Sequence, residues 1–206
     1  MNIKAIIFDL GGVVFDFSFD KTFEHWSKAI GKDVHEIKKQ FKFGDSFEKF
    51  ERNEISPEQF IEYASQQLNH KFNTKNFELG WNAIYLNSFP GIKELLIKLR
   101  SNFQLVALTN TNVIHSKIWK TKFADTLKIF EKVFSSHEIR TRKPEVTSYQ
   151  TVLDYLSLEP QQTLFLDDNE EYINAAKKLG INTILVSSYN EMMQRLKEFE
   201  IKVNRK

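Results

Sequence analysis

Four apolar residues, Ala5-Ile6-Ile7-Phe8, run without a polar break into Asp9, and glycines follow at positions 11 and 12. A run that does not alternate suits a strand covered on both faces, as in a parallel sheet. Five stretches read this way: 3–8 (IKAIIF), 103–108 (FQLVAL), 132–135 (KVFS), 162–166 (QTLFL) and 182–186 (NTILV). Helical stripes separate them. Ile92, Leu95, Leu96 and Leu99 form one, and Val146, Tyr149, Val152, Leu153 and Leu156 a second. Tyr172, Ala175, Ala176 and Leu179 form a third, with Gly180 placed to cap it. Alternating strands and helices predict an α/β fold built on a doubly wound, Rossmann-like parallel sheet.

One segment interrupts the alternation. From 16 to 88 the patterns are helical, with no convincing strand, and predict about four helices. Ser56-Pro57-Glu58-Gln59 carries an N-cap, a proline suited to the first helical position and the partner of a capping box. The expected organisation is a core of residues 1–15 and 89–206 and a helical insertion of residues 16–88. Phe89-Pro90-Gly91 marks the return. An insertion after the first strand sits over the carboxyl ends of the strands, where such sheets bind ligands. The terminal IKVNRK reads as a solvated tail.

The 206 residues suffice for a substantial core. The 29 basic residues nearly balance the 27 acidic ones, so no broad basic face for nucleic acid is expected. The absence of cysteine excludes disulfides and thiolate metal sites, and makes a reducing cytoplasm the expected setting. The first apolar run is too short for a signal peptide, and no stretch approaches a membrane span. The 19 phenylalanines read mainly as core, with some left for an apolar pocket wall.

The residues that follow the strands carry the chemistry. Asp9 follows the first, Thr109-Asn110 the second, and Asp167-Asp168-Asn169 the fourth, with the basic loop Arg140-Thr141-Arg142-Lys143-Pro144 between. Each alone has an ordinary explanation as a turn, a helix cap or a surface charge. In a parallel sheet all reach one edge. Three carboxylates crowded there need a cation or a proton to coexist, and magnesium is the hard, oxygen-seeking choice. A metal, a lysine and a hydroxyl together form a phosphoryl-transfer inventory.

The order Asp, Thr, Lys-Pro, Asp-Asp resembles the haloacid dehalogenase (HAD) superfamily. The segments FDLGGVVFDF, ERNEISPEQF, GWNAIYLN, LTNTNVIHSKIW, RKPEVTSYQ and FLDDNEEYINAAKKLGI narrow the likeness to its bacterial α-D-glucose-1-phosphate phosphatase-like branch. The resemblance spans nearly the whole chain. It implies a Rossmann-like core with a small helical cap of the C1 type. It also implies a magnesium-dependent phosphatase acting on a small phosphorylated metabolite, such as glucose 1-phosphate. By the same resemblance Asp9 is the nucleophile and the Gly11 carbonyl a magnesium ligand. Asp168 is the direct carboxylate ligand, and Asp167 holds a metal-bound water. Thr109 and Asn110 hold phosphoryl oxygens, and Lys143 neutralises the nucleophile and the phosphoryl group.

One position departs from the pattern. Phosphatases of this superfamily usually carry a second Asp two residues after the nucleophile, as general acid–base, and here that position is Gly11. The departure leaves open a metal-free dehalogenase, a catalytically inactive binding protein, or a phosphatase whose leaving group needs little help, such as an anomeric hydroxyl. The pair Asp167-Asp168 argues against the first. Asp16 is the nearest downstream carboxylate and a candidate acid or substrate contact. A receiver domain shares the inventory, but its acidic pair comes first and no helical block follows its first strand. His115 and Trp119 are expected to pack a helix on the core. Phe43, Phe47 and Trp81 are candidate pocket walls.

Overall fold

The computed structural model describes residues 2–201. Its strands are β1 (Ala5–Phe8), β2 (Phe15–Phe17), β3 (Tyr85–Ser88), β4 (Gln104–Thr109), β5 (Lys132–Ser135), β6 (Thr163–Asp167) and β7 (Asn182–Leu185). Five helices lie between β2 and β3: α1 (Phe19–Ile30), α2 (Val34–Gln40), α3 (Asp45–Glu51), α4 (Pro57–Gln67) and α5 (Thr74–Trp81). The remainder are α6 (Ile92–Arg100), α7 (Val113–Lys122), α8 (Ala124–Leu127), α9 (Ser136–Ile139), α10 (Val146–Leu156), α11 (Glu170–Lys178) and α12 (Tyr189–Glu198).

Five strands form one sheet in the order β5-β4-β1-β6-β7, and every neighbouring pair is parallel. The unbroken apolar runs have the cause expected of them. In β1, Ile6 and Phe8 face one cluster while Ala5 and Ile7 face another, because successive side chains point to opposite faces. Leu95, Leu96 and Leu99 of α6 and Met192 and Leu196 of α12 cover the first face. Tyr149, Val152 and Leu153 of α10 and Ile173 and Ala176 of α11 cover the second. Burying each large apolar side chain contributes about 1.5–3 kcal/mol, so the three-layer packing is the main stabilising term.

The helical block between β2 and β3 has a third cluster of its own, and it is aromatic. Trp26 stacks on Trp81 with ring centroids 5.8 Å apart, and Phe50 stacks on Phe60 at 4.5 Å. Many of the phenylalanines therefore go to filling a small helical core. α4 begins as its sequence predicts: Ser56 Oγ accepts from Gln59 N, and Gln59 Oε1 accepts from Ser56 N.

Two expectations need correction. The segment 16–88 is not free of strands and holds five helices rather than about four. β2 and β3 pair antiparallel, with Phe15 opposite Ser88 and Phe17 opposite Tyr85, so the chain's exit to the helical block and its return run side by side. The expected tail begins with Ile201, which is buried in the first cluster; the rest of the tail lies outside the described residues. No helix among the described residues is long and apolar enough to cross a membrane.

Candidate active site

The carboxyl ends of β1, β4 and β6 meet at one edge of the sheet. Asp9 N donates to Leu166 O at 2.8 Å, which adds one rung to the β1–β6 ladder and fixes the residue at its end. Asp167 closes β6, where its carbonyl accepts from Val186 N at 2.9 Å. Thr109 closes β4 opposite Ser135 and is buried. Asp9, Asp167 and Asp168 each offer a carboxylate oxygen within 4.8 Å of the others.

Lys143 is the pivot. Its side chain is fully buried, with Nζ 2.8 Å from Asp9 Oδ1 and 2.6 Å from Asp167 Oδ2. Burial alone would lower its pKa, but the carboxylates of Asp167 and Asp9 outweigh burial and hold the ammonium above its usual range. Burial pushes Asp167 up to about 7, with Lys143 opposing. Burial, and then the charge of Asp9, push Asp168 up to about 6. Such crowding is the electrostatic mark of a cation site.

The backbone around Lys143 is clamped by Asn110. Asn110 Oδ1 accepts from Lys143 N at 2.9 Å, and its Nδ2 donates to Lys143 O at 2.9 Å. The side chain expected to hold a phosphoryl oxygen is thus spent on bracing the lysine. Asp167 does not line the cavity in front of this cluster; it sits behind Lys143, and its Oδ1 accepts from Asn169 N at 2.8 Å. Gly11 lines the cavity beside Asp9 and Asp168. Gly12 is forced to be glycine twice over. Its φ of +77° lies in the left-handed region, and a Cβ there would meet Asp168 Oδ2 at 2.1 Å.

The cavity holds about 300 Å³, at the lower end for small-metabolite sites. One end carries Asp9, Gly11, Thr109, Lys143 and Asp168. The opposite wall comes from the helical block and its ribbon: Phe17, Phe19, Phe47, Glu51, Ile84 and Tyr85. Asp16 is not in the lining. Phe15 and Phe17 face the cavity, and the residue between them in a strand points the other way. His115 and Trp119 are buried in packing, as expected, and also reach the lining. Of the candidate walls only Phe47 lines the cavity. Trp81 is sealed within the helical core, and Phe43 is 45% exposed.

Three contributors gain their roles only from the structure, although Arg142 stands in the basic loop beside Lys143. Glu51, the last residue of α3, is buried in the cavity wall, and its Oε2 accepts from Arg142 Nε at 2.8 Å. Arg142 also lies 3.3 Å from Glu48, while Arg52 binds Glu145 at 2.9 Å, so α3 is tied to the loop that carries Lys143. Tyr172 places its hydroxyl 3.3 Å from Asn110 Nδ2. These contacts join residues far apart in sequence, and neither periodicity nor local spacing signals them.

The fold and this edge define a hydrolase of the haloacid dehalogenase-like class, and the chain belongs to that family: the haloacid dehalogenase-like hydrolase model matches residues 6–186. Among individual proteins, the chain is 22% identical to D-ribitol-5-phosphate phosphatase of Bacteroides thetaiotaomicron, over 94% of this chain and 97% of that one. It is 23% identical to the phosphorylated carbohydrates phosphatase of Thermotoga maritima, over 92% and 88%. It also superposes on a HAD family enzyme of Bacteroides thetaiotaomicron, solved as a complex with magnesium and inorganic phosphate. That match has a TM-score of 0.77 and 27% identity, and covers 92% of this chain and 98% of that one.

Proposed function

We propose that this cavity hydrolyses a small sugar or polyol phosphate, glucose 1-phosphate among the candidates, through a phosphoenzyme on Asp9. The enzyme is a HAD-type phosphoric monoester hydrolase, and magnesium is its cofactor. The observation that carries the reading is the buried Lys143 between Asp9 and Asp167, at the head of a cavity sized for a metabolite. The donor set fits magnesium, because every ligand on offer is a hard oxygen and three carboxylates converge within 4.8 Å. Asp9, Asp168 and the Gly11 carbonyl are the residues that would hold it, while Asp167, its oxygens engaged by Lys143 and Asn169 N, holds the lysine from behind. When bound, the ion supplies positive charge against the carboxylates and the phosphoryl oxygens.

The chain's own residues do the rest. Asp9, fixed on the last rung of β1, is the nucleophile: one carboxylate oxygen bonds to phosphorus as the bond to the leaving oxygen breaks. Lys143 balances the charge that builds on the phosphoryl group, and Thr109 contributes a hydroxyl to the same end. Asn110 keeps Lys143 in place. Water then attacks phosphorus and frees Asp9 and phosphate. We read the helical block 16–88 as a cap that excludes bulk water and restricts the substrate to small molecules. A reducing cytoplasm is the proposed setting, since the chain lacks cysteine.

The test is phosphate release from glucose 1-phosphate, ribitol 5-phosphate and p-nitrophenyl phosphate, with magnesium and with EDTA, for wild type and Asp9→Asn. Magnesium-dependent release that vanishes in the variant is expected. Undiminished release by Asp9→Asn, or no release from any of the three by wild type, refutes the reading.

A further inference from the structure

An alkyl phosphate leaves as a poor alkoxide unless a proton reaches the bridging oxygen as the P–O bond breaks. The residue two places after Asp9 offers none, because it is Gly11. Its neighbourhood is also filled: a Cβ built on Gly11 meets the Phe17 ring at 3.0 and 3.1 Å. The proton must come from elsewhere in the cavity, and the ionisable side chains that line it are few.

Asp9, Asp168 and Lys143 are committed to the phosphoryl end. Arg142 does not release a proton at working pH. Burial raises the phenols of Tyr85 and Tyr172 above their ordinary range, which makes them weaker acids. Burial pushes His115 down to about 3, so its ring is neutral near pH 7. Both ring nitrogens are also engaged, Nε2 with Trp81 O at 2.9 Å and Nδ1 with Asn112 Nδ2 at 3.1 Å. Glu51 remains.

We infer that Glu51, carried by α3 in the wall formed by the helical block, is the general acid–base of this site. In the first step its carboxyl gives a proton to the leaving-group oxygen while Asp9 bonds to phosphorus and the P–O bond to the alcohol breaks. In the second, its carboxylate takes a proton from the water that attacks phosphorus, which restores Asp9 and Glu51 and releases phosphate. The environment suits the role. Burial pushes the Glu51 carboxyl up to about 7, against the pull of Arg142 and Lys143 from the core loop, and Glu48 on its own helix adds to the rise. Tyr85 of β3 and Tyr172 of α11 also face it and are uncharged at working pH. The hydrogen bond from Arg142 Nε fixes the orientation of the carboxyl. The inference rests on the phosphatase reading and extends it, since a site with its own acid is not confined to anomeric or other activated leaving groups.

The experiment compares p-nitrophenyl phosphate, whose leaving group needs no proton, with a panel of primary-alcohol phosphates (ribitol 5-phosphate, glycerol phosphate and glucose 6-phosphate). Wild type is expected to turn over at least one of the panel. In Glu51→Gln the ratio of kcat/KM between p-nitrophenyl phosphate and that substrate should rise by about 100-fold or more, mainly through kcat. In wild type, kcat/KM for the alcohol phosphate should fall as pH rises through about 7, while that for p-nitrophenyl phosphate should not. The pH profile decides without the variant, should the variant fold poorly. Equal losses of kcat/KM on both substrates, a KM effect alone, or a fall of both kcat/KM values as pH rises through about 7 overturn the assignment and leave the phosphatase standing. Turnover of p-nitrophenyl phosphate with none of the panel also overturns it. Loss of all activity in wild type fails the underlying reading instead.

Discussion

Replacing Lys143 with methionine keeps most of the side chain's length and removes its charge, which isolates what that charge does. Lys143 is fully buried, and Asp167 behind it is equally so. With the ammonium gone, Asp167 must be charged without its partner or take up a proton. The second route limits the cost. Burial already raises the Asp167 carboxyl while Lys143 opposes the rise, so without the lysine it rises further and the folded variant favours the protonated form. Removing one partner of a buried ion pair costs about 3–5 kcal/mol, and a loss of that order is expected at pH 7. The sign of the pH effect follows. A carboxyl whose folded pKa is raised loses stability as pH climbs above its unfolded value, and the variant's is raised beyond wild type's, so the variant's deficit shrinks as pH falls from 7 toward 5. Urea unfolding of wild type and variant at pH 5, 6 and 7, with EDTA present so that no cation substitutes for the lysine, measures this directly. A deficit under about 1 kcal/mol at pH 7, or one that does not change with pH, would show that Lys143 does not neutralise Asp167.

Two other perturbations probe separate parts of the structure. Gly12→Ala places a methyl 2.1 Å from Asp168 Oδ2 on a backbone with φ of +77°. It should cost about 1–3 kcal/mol and raise the magnesium concentration needed for half-maximal activity by tenfold or so, read from thermal unfolding and a magnesium titration. Ser56→Ala removes the capping box of α4 and should lower stability by about 1 kcal/mol with no change in kcat, because the cap lies outside the cavity lining.

The sheet was legible because burial on both faces leaves a signature in consecutive residues. Every strand of it coincides with an apolar run, and Asp9, Thr109, Asp167 and Asp168 stand at the ends of those runs. β2 and β3 were not legible. They have three and four residues, and FDF and YLNS are too short to establish a period. They exist because they pair with each other across a long insertion. The cavity's far wall was hidden for the same reason. Glu51 and Arg142 meet only after the helical block has folded back over the sheet, and nothing in ERNEISPEQF or RKPEVTSYQ announces that contact. Asp16 has a suggestive position in the sequence, but it is absent from the cavity lining, whereas Phe15 and Phe17 on either side of it are present. Asn110 shows a subtler limit: its place at the end of a strand was readable, but its use as a brace for Lys143 depends on a loop more than thirty residues away.

The β2–β3 ribbon has a consequence for how such a chain diversifies. Because the outgoing and returning strands lie one ladder spacing apart, the core presents both of its cut ends at a single point. Any segment whose own termini are adjacent can be spliced there without moving a strand of the main sheet. A short hairpin turn in place of residues 18–84 would close the gap and leave the catalytic edge open, while a larger insert would roof it. On the proposed function, the wall facing the substrate would then be carried on an exchangeable segment, with the edge of Asp9, Lys143 and Asp168 left in place beneath it.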